Sequence, residues 1–101
     1  MNVSGYTCSK HGVVGMTRAL SNEFAADGIC VNAIAPGYIA TELTKAIWSD
    51  PEKSRPMDER IPIGRWGKPQ DFAGPAVFLA SEASDYVSGI VLPVDGGYSA
   101  R

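Results

Sequence analysis

Residues 28–37 read GICVNAIAPG, and this stretch decides the fold of the chain. Gly28 suits a left-handed helix cap, and the apolar run from Ile29 to Ala35 predicts a strand buried on both faces. Such strands are typical of parallel sheets, whose two faces are covered by helices. Pro36 and Gly37 then end the strand. The stretch therefore predicts the end of a helix, a buried parallel strand and a turn, in that order.

Upstream of Gly28, a helix is predicted from about Ser4 to Asp27. Its apolar side chains recur at intervals of three and four residues, which is the period of one helix face. The residues of this predicted stripe are Val13, Met16, Leu20 and Phe24. We expect the stripe to pack against the sheet.

Downstream, residues 38–68 carry charges, three prolines and both tryptophans, which predicts an ordered insertion or lid. Pro69 is placed to begin a second core helix, because proline is favoured in a helix's first turn. The apolar face of that helix is predicted to consist of Phe72, Ala76, Leu79 and Ala80. The run from Ile90 to Val94 predicts a last strand, closed by a tight turn at Asp95-Gly96-Gly97. The order of helix, strand, lid, helix and strand indicates an α/β fold with a right-handed parallel crossover.

The composition excludes several classes of protein. The 101 residues are 45% hydrophobic and 20% charged, with a net charge of −2, as in one small globular domain. No basic face is available for nucleic acid. No apolar run reaches the roughly 20 residues of a membrane helix, and no signal peptide is recognisable. We therefore expect a cytoplasmic protein that binds neither nucleic acid nor membrane.

The cysteines and the single histidine predict no metal site. Cys8 falls in the predicted helix and Cys30 in the predicted buried strand, so two reduced thiols are expected rather than a disulfide. Neither belongs to a CxxC pair, and His11 stands alone in the helix. A zinc site would need several such ligands at close spacing.

Tyr6 and Lys10 lie four residues apart in the predicted helix, so their side chains emerge from one face. A free tyrosine has a pKa of about 10, too high for a general base at neutral pH, and a fixed ammonium beside it favours the phenolate. By itself this spacing is more typical of a solvated helix face. The surrounding sequence decides between the two interpretations.

Three segments supply that context: YTCSKHGVVGMTRALSNEFA at 6–25, GICVNAIAPGYIATEL at 28–43 and FLASEASDYVSGIVLPVDGGY at 78–98. In order and spacing they resemble the short-chain dehydrogenase/reductase family, and the resemblance covers essentially the whole chain. It implies the C-terminal portion of a Rossmann-like doubly wound parallel sheet. It also implies an oxidoreductase that interconverts a secondary alcohol and a ketone with NAD or NADP.

The resemblance assigns roles to particular residues. The family's proton-transfer tyrosine falls on Tyr6. Its lysine, which lowers the pKa of that tyrosine and bonds the nicotinamide ribose, falls on Lys10. The family's turn at the carboxyl end of the strand falls on Pro36-Gly37. Ile39 and Thr41 match the positions that contact the nicotinamide carboxamide. Without the resemblance, Pro36-Gly37 would be a strand-ending turn and Thr41 a helix cap before Glu42.

Residues 60–101 most resemble sugar-acid dehydrogenases, which implies a substrate such as 2-dehydro-3-deoxygluconate or gluconate. Arg55, Arg60 and Arg65 are candidate partners for a substrate carboxylate, although structural pairing is the more frequent role of each. The family also implies a homo-oligomer, a dimer or tetramer, formed through the first helix and the last strand. Two alternatives stay open: a reductase of 3-oxoacyl carriers, and a non-catalytic remnant or interaction module.

Residues 1–101 are expected to form the C-terminal half of a family domain, with 38–68 as its substrate lid. Family members begin with a strand and a Gly-rich turn that hold the pyrophosphate, and the five residues before Tyr6 do not resemble them. Ser4 is too close to Tyr6 to match the family's catalytic serine. We therefore expect the N-terminal dinucleotide-binding half to be absent and these 101 residues to be inactive by themselves. The sequence leaves the choice between NAD and NADP open.

Overall fold

The computed structural model describes residues 3–100, and these fall into two compact units. The first unit contains residues 3–34 and 79–92, and the second contains residues 35–78 and 93–100. Tyr6 and Lys10 therefore belong to the first unit. Pro36, Gly37, Ile39 and Thr41 belong to the second.

Helices and a parallel sheet alternate along the chain, as predicted. The regular elements are α1 (Val3–Phe24), β1 (Ala33–Pro36), α2 (Lys45–Trp48), α3 (Pro51–Asp58), α4 (Ala73–Ala80) and β2 (Val91–Val94). Short 3-10 helices cover Ala25–Asp27, Pro69–Phe72, Glu82–Ser84 and Tyr98–Ala100. The strands pair in one two-stranded sheet, in which hydrogen bonds from Ala33 to Ile90 and from Gly37 to Val94 advance in the same direction. The predicted α/β class and the order of elements are confirmed.

Gly28 ends the first helical segment as the sequence predicts. Its φ of 77° lies in the left-handed region, and its N–H donates to the Ala25 carbonyl at 3.0 Å. A side chain with a Cβ is disfavoured in this conformation. The boundary between α1 and the strand region therefore follows from one residue.

The predicted apolar stripe of α1 is wrong in part, because two hydroxyl residues take the buried positions. Val13 is 47% exposed and Met16 57% exposed, whereas Thr17 is 5% and Ser21 8% exposed. The Thr17 hydroxyl donates to the Val13 carbonyl at 2.7 Å, and Ser21 Oγ lies 2.7 Å from Ser88 Oγ. These bonds remove the cost of burying a hydroxyl. Leu20 and Phe24, the other two predicted stripe residues, are partly buried.

The predicted strand from Ile29 to Ala35 is also shorter than expected and is not fully buried. It begins at Ala33, and Ile29 is 49% exposed. Between Ile29 and Ala33, hydrogen bonds that involve side chains stand where backbone pairing was expected. Val31 N–H donates to Ser88 Oγ at 3.1 Å, and Asn32 Nδ2 donates to the Val87 carbonyl at 3.0 Å. Side-chain bonds of this kind compete with a regular ladder.

Both cysteines are free thiols in the structure. The placement of Cys30 in a buried strand is wrong, since this residue is exposed and precedes β1. Its thiol lies 3.7 Å from the Asp85 carbonyl, to which it donates a weak hydrogen bond.

The second helical segment begins at Pro69, as predicted, with one 3-10 turn before α4. Phe72 and Leu79 are partly buried, but Ala76 and Ala80 are exposed, so the predicted apolar face is wrong at the two alanines. The last strand, β2, begins at Val91, one residue later than expected.

The predicted tight turn after β2 is present. Gly96 and Gly97 have φ values of 64° and 93°, which only glycine adopts readily. The Asp95 carboxylate accepts hydrogen bonds from the N–H groups of Gly97 and Ser99 at 3.0 and 3.1 Å. The Asp95 side chain thus stabilises the turn that this residue begins.

Few apolar side chains are buried among residues 3–100. Ile61 and Trp66, at 4% and 8% exposure, are the buried hydrophobic residues of this part of the chain. Large apolar side chains are exposed on several elements, including Val13, Met16, Ile29, Val77, Phe78 and Ile90. Within the described residues, no helix is long and apolar enough to cross a membrane.

Candidate active site and cofactor-contact segment

Tyr6 and Lys10 lie together on an exposed face of α1. The Lys10 ammonium lies 5.3 Å from the centroid of the Tyr6 ring, and Tyr6 is 57% exposed. This follows from their spacing, because residues i and i+4 are neighbours on a helix surface. The arrangement places a fixed positive charge beside a phenol that is open to a reacting partner.

Pro36 and Gly37 lie at the carboxyl end of the sheet, where β1 ends. The Gly37 N–H donates to the Val94 carbonyl at 3.3 Å, extending the pairing past the strand. A Cβ on Gly37 would lie 2.8 Å from Asp95 Cβ and 3.0 Å from Asp95 Cα. Glycine is therefore required here by the close approach of the Asp95 backbone.

Ile39 pairs with Gly67 in an isolated parallel bridge. Gly67 N–H donates to the Tyr38 carbonyl and Ala40 N–H donates to the Gly67 carbonyl, both at 2.8 Å. The Ile39 carbonyl accepts from the Thr44 hydroxyl at 2.7 Å. None of the hydrogen bonds of residues 3–100 uses the Ile39 N–H. The segment therefore offers one backbone donor beside a carbonyl that is already bonded.

Thr41 is bound to Thr44 rather than capping a helix. Its N–H donates to Thr44 Oγ1 at 3.0 Å, and the two hydroxyl oxygens are 3.3 Å apart. The Thr41 carbonyl accepts from Trp48 Nε1 at 2.9 Å. Helix α2 begins at Lys45 with Thr44 in the N-cap position, so the alternative of Thr41 as a helix cap is wrong.

A cavity of about 180 Å³ lies beside Tyr38 and Ile39 within the second unit. Its lining includes Tyr38, Ile39, Ile63, Phe72 and Asp95. Sites for complete small molecules usually measure about 300 Å³ or more. The cavity therefore has room for part of a ligand beside Ile39.

Two of the three candidate arginines are engaged within the chain. Arg65 forms a two-pronged ion pair with Asp71, from Nη1 to Oδ2 at 2.8 Å and from Nη2 to Oδ1 at 2.9 Å. The Arg60 guanidinium lies 5.1 Å from the centroid of the Tyr98 ring. Arg55 is exposed on α3.

Sequence reasoning missed an aromatic cluster in the second unit. The Tyr38 ring centroid lies 5.4 Å from that of Trp66 and 5.3 Å from that of Tyr98. Interaction with the neighbouring Tyr98 side chain, followed by burial, raises the pKa of Tyr38. The three rings come from distant parts of the sequence, and no periodicity relates them.

We expect the Asp71 carboxyl to remain ionised in all but strongly acidic solution. The Arg65 guanidinium, followed by the Lys68 N–H at 2.7 Å, lowers its pKa from 3.8 to about 2. Because the folded-state pKa is the lower one, the resulting stabilisation is present above pH 3.8 and is lost as the pH falls through about 2. NMR titration of the side-chain carboxyl carbon measures this directly. In an Arg65→Gln variant the Asp71 midpoint should move up toward 3.8, and an unchanged midpoint would contradict the assigned cause.

Among residues 3–100, no three His, Cys, Asp or Glu side chains are grouped so that they would hold a metal ion. His11 Nδ1 lies 3.0 Å from the Thr7 carbonyl on the exposed surface of α1.

The chain belongs to the short-chain dehydrogenase/reductase family. Residues 1–99 match the family profile described as Enoyl-(Acyl carrier protein) reductase.

Similar proteins include sugar-acid dehydrogenases. The chain is 56% identical, over all of its 101 residues, to 2-dehydro-3-deoxy-D-gluconate 5-dehydrogenase of Dickeya dadantii, and it covers 40% of that protein. It is 47% identical to a 3-oxoacyl-(acyl-carrier-protein) reductase of Thermotoga maritima over 95 residues, which are 93% of this chain and 37% of the other. A crystal structure of gluconate 5-dehydrogenase from Burkholderia cenocepacia, in complex with NADP and tartrate, superposes with a TM-score of 0.89 at 42% identity. That alignment covers 95% of this chain and 38% of the other. The chain thus spans about 40% of the length of the first of these relatives.

Proposed function

We propose that the protein containing this chain is an NAD(P)-dependent oxidoreductase that interconverts a secondary alcohol and a ketone on a sugar acid. 2-Dehydro-3-deoxy-D-gluconate and gluconate are the proposed substrates. The observation that carries the proposal is the Lys10 ammonium 5.3 Å from the centre of the exposed Tyr6 ring. The 56% identity to the enzyme of Dickeya dadantii supports the choice of substrate class.

In the proposed reaction, Tyr6 handles the proton. During alcohol oxidation the substrate hydroxyl gives its proton to the Tyr6 phenolate, and during ketone reduction the Tyr6 hydroxyl returns it to the developing alkoxide. The Lys10 ammonium stabilises the phenolate by its charge and holds the nicotinamide ribose. A bound nicotinamide cofactor supplies the hydride acceptor or donor.

The second unit offers groups that fit the nicotinamide end of such a cofactor. Ile39 presents an N–H donor that no other described group uses, which suits the carbonyl of a carboxamide. Pro36 and Gly37 lie at the carboxyl end of the sheet, the usual ligand edge of open α/β folds. The Thr41 hydroxyl belongs to the residue two positions after Ile39. We propose these four residues, with Tyr6 and Lys10, as the cofactor-binding set, for NAD or NADP.

Residues 38–68 are proposed as a substrate lid. This segment contains the short helices α2 and α3 and no named strand, and Arg55 lies exposed on α3. Arg55 is thus the candidate for pairing with a substrate carboxylate, because Arg60 and Arg65 already contact Tyr98 and Asp71.

We also propose a homo-oligomer, a dimer or tetramer, formed through α1 and β2. Val13 and Met16 of α1 are exposed apolar side chains, and Ile90, just before β2, is 37% exposed. Two free cysteine thiols agree with a reducing compartment such as the cytoplasm.

A substrate panel on the full-length enzyme tests the function. We expect oxidation of gluconate, or reduction of its keto acids, with a kcat/KM on the order of 100-fold above that for 3-oxoacyl thioesters. Reduced nicotinamide absorbance provides the assay with each of NAD and NADP. The opposite preference would favour the acyl carrier reductase, which the matched family profile and the 47% relative support as second candidate. Turnover of neither class would favour a non-catalytic module.

A further inference from the structure

Arg65, Asp71 and the Lys68 N–H form a closed cluster that we call the Arg65–Asp71 latch. Both Asp71 oxygens receive guanidinium N–H groups, and Oδ2 also accepts from the Lys68 N–H at 2.7 Å. Arg65 Nη1 donates in addition to the Trp66 carbonyl at 3.0 Å. The latch therefore ties both ends of residues 65–71 together. Such forked, charge-assisted bonds fix geometry better than single bonds do.

The segment closed by the latch carries the residues that hold Ile39. Gly67 bonds the backbone on both sides of Ile39, at the Tyr38 carbonyl and at the Ala40 N–H. Trp66 packs its ring against Tyr38 and is 8% exposed. In this parallel pairing the Ile39 N–H points away from Gly67, because Gly67 bonds only the neighbours of Ile39. The direction of the Ile39 N–H therefore depends on the position of Gly67.

We propose that Arg65 and Asp71 are positioning residues that orient the Ile39 N–H toward the nicotinamide half of the cofactor. This inference rests on the proposed function. Neither side chain needs to touch the cofactor, since the latch acts through Gly67. Weakening the latch lets residues 65–71 relax and the Ile39 donor move, so the bond to the carboxamide weakens while contacts elsewhere on the cofactor persist.

The test compares two ligands on the full-length enzyme and its Asp71→Asn and Arg65→Gln variants. Isothermal titration gives the Kd of the intact cofactor and that of its nicotinamide-free part. The pairs are NADP⁺ with adenosine 2′,5′-bisphosphate, or NAD⁺ with ADP-ribose, whichever cofactor binds the unsubstituted enzyme more tightly. We expect the Kd of the intact cofactor to rise about tenfold, the effect of one lost hydrogen bond, and that of the fragment to stay unchanged.

Two further variants sharpen the result. The double variant should bind no more weakly than either single variant, because both substitutions open the same latch. Arg65→Lys keeps the positive charge but not the forked pair of hydrogen bonds, so its Kd for the intact cofactor should lie between those of the unsubstituted enzyme and Arg65→Gln. This milder variant also tests the proposal if Arg65→Gln or Asp71→Asn fails to fold. Asp85→Asn, at an exposed aspartate of the first unit, is the matched control and should bind both ligands normally.

Equal loss of both ligands would show a general structural role and would overturn the positioning role. Unchanged binding of the intact cofactor in every latch variant would overturn it as well. If the unsubstituted enzyme bound neither NAD⁺ nor NADP⁺, the proposed function and the inference would fail together. If it bound a cofactor that the latch variants bound equally well, only the inference would fail.

Discussion

Replacing Tyr6 with Phe in the full-length enzyme is expected to lower kcat by about 100- to 10,000-fold. The substitution removes only the hydroxyl, so no group remains at this position to exchange a proton with the substrate oxygen. The aromatic ring stays, and the Lys10 ammonium, 5.3 Å from its centroid, keeps its neighbour. Cofactor affinity, to which Tyr6 is also proposed to contribute, should therefore fall far less than kcat. Steady-state kcat at saturating cofactor and substrate, together with the cofactor Kd, measures the two effects separately.

Tyr86→Phe is the matched control for Tyr6→Phe. Tyr86 is fully exposed in the first unit, at 104% of its reference area, and loses the same hydroxyl. It should leave kcat unchanged. A Tyr6→Phe enzyme that kept most of its activity would refute the proton-transfer role. A loss of cofactor binding equal to the loss of kcat would instead leave Tyr6 with the cofactor-binding role alone.

The parts of the fold that the sequence predicted depend on local chemistry. Gly28 ends a helix because the left-handed conformation is easy for glycine, and Pro69 begins one because proline suits a first turn. The Asp95-Gly96-Gly97 turn needs two positive φ values within a few residues. The spacing of Tyr6 and Lys10 likewise places them on one helix face with no information from the rest of the chain.

The parts that the sequence did not predict depend on distant partners. Ser21 can be buried because its hydroxyl forms a hydrogen bond with that of Ser88, 67 positions away. β1 begins at Ala33 because Asn32 and the N–H of Val31 bond residues 87 and 88 instead of continuing a ladder. Hydrophobic periodicity depends only on the polarity and spacing of residues. It therefore could not predict the burial of Ser21 or the start of β1 at Ala33.

In the candidate site, too, local features could be predicted from the sequence and features that depend on distant residues could not. The family resemblance pointed to Ile39, but nothing local indicated how its N–H is left available. That depends on Gly67, which lies 28 positions further along the sequence and is held by the Arg65–Asp71 latch. Arg65 was considered as a partner for substrate, whereas its guanidinium is bonded to Asp71. An ion pair between residues six positions apart does not follow the i, i+3 or i, i+4 spacing of a helix surface, so one sequence shows no pattern for it.

Gly37→Ala is expected to destabilise the full-length enzyme by about 1–3 kcal/mol, the usual cost of adding a methyl group where no space exists. The new Cβ would lie 2.8 Å from Asp95 Cβ, 3.0 Å from Asp95 Cα and 3.3 Å from the Asp95 carbonyl oxygen. Two of these atoms belong to the backbone, so a side-chain rotation cannot relieve the contact. The ends of β1 and β2 must separate instead, and the Gly37 N–H bond to Val94 lies at this point. Urea denaturation gives the change in free energy of unfolding.

Gly74→Ala, in α4, is the matched control, because apart from its chain neighbours and the backbone of its own helix no described atom lies within 4 Å of a Cβ at this position. Alanine in a helix should leave stability unchanged or raise it by about 0.5–1 kcal/mol. If Gly37→Ala proved as stable as Gly74→Ala, the close approach of Asp95 would be contradicted. Cofactor affinity then separates the two roles of Gly37. A variant that is destabilised but binds cofactor normally under native conditions would leave Gly37 a packing role alone, whereas a parallel loss of affinity would support its place in the cofactor-binding turn.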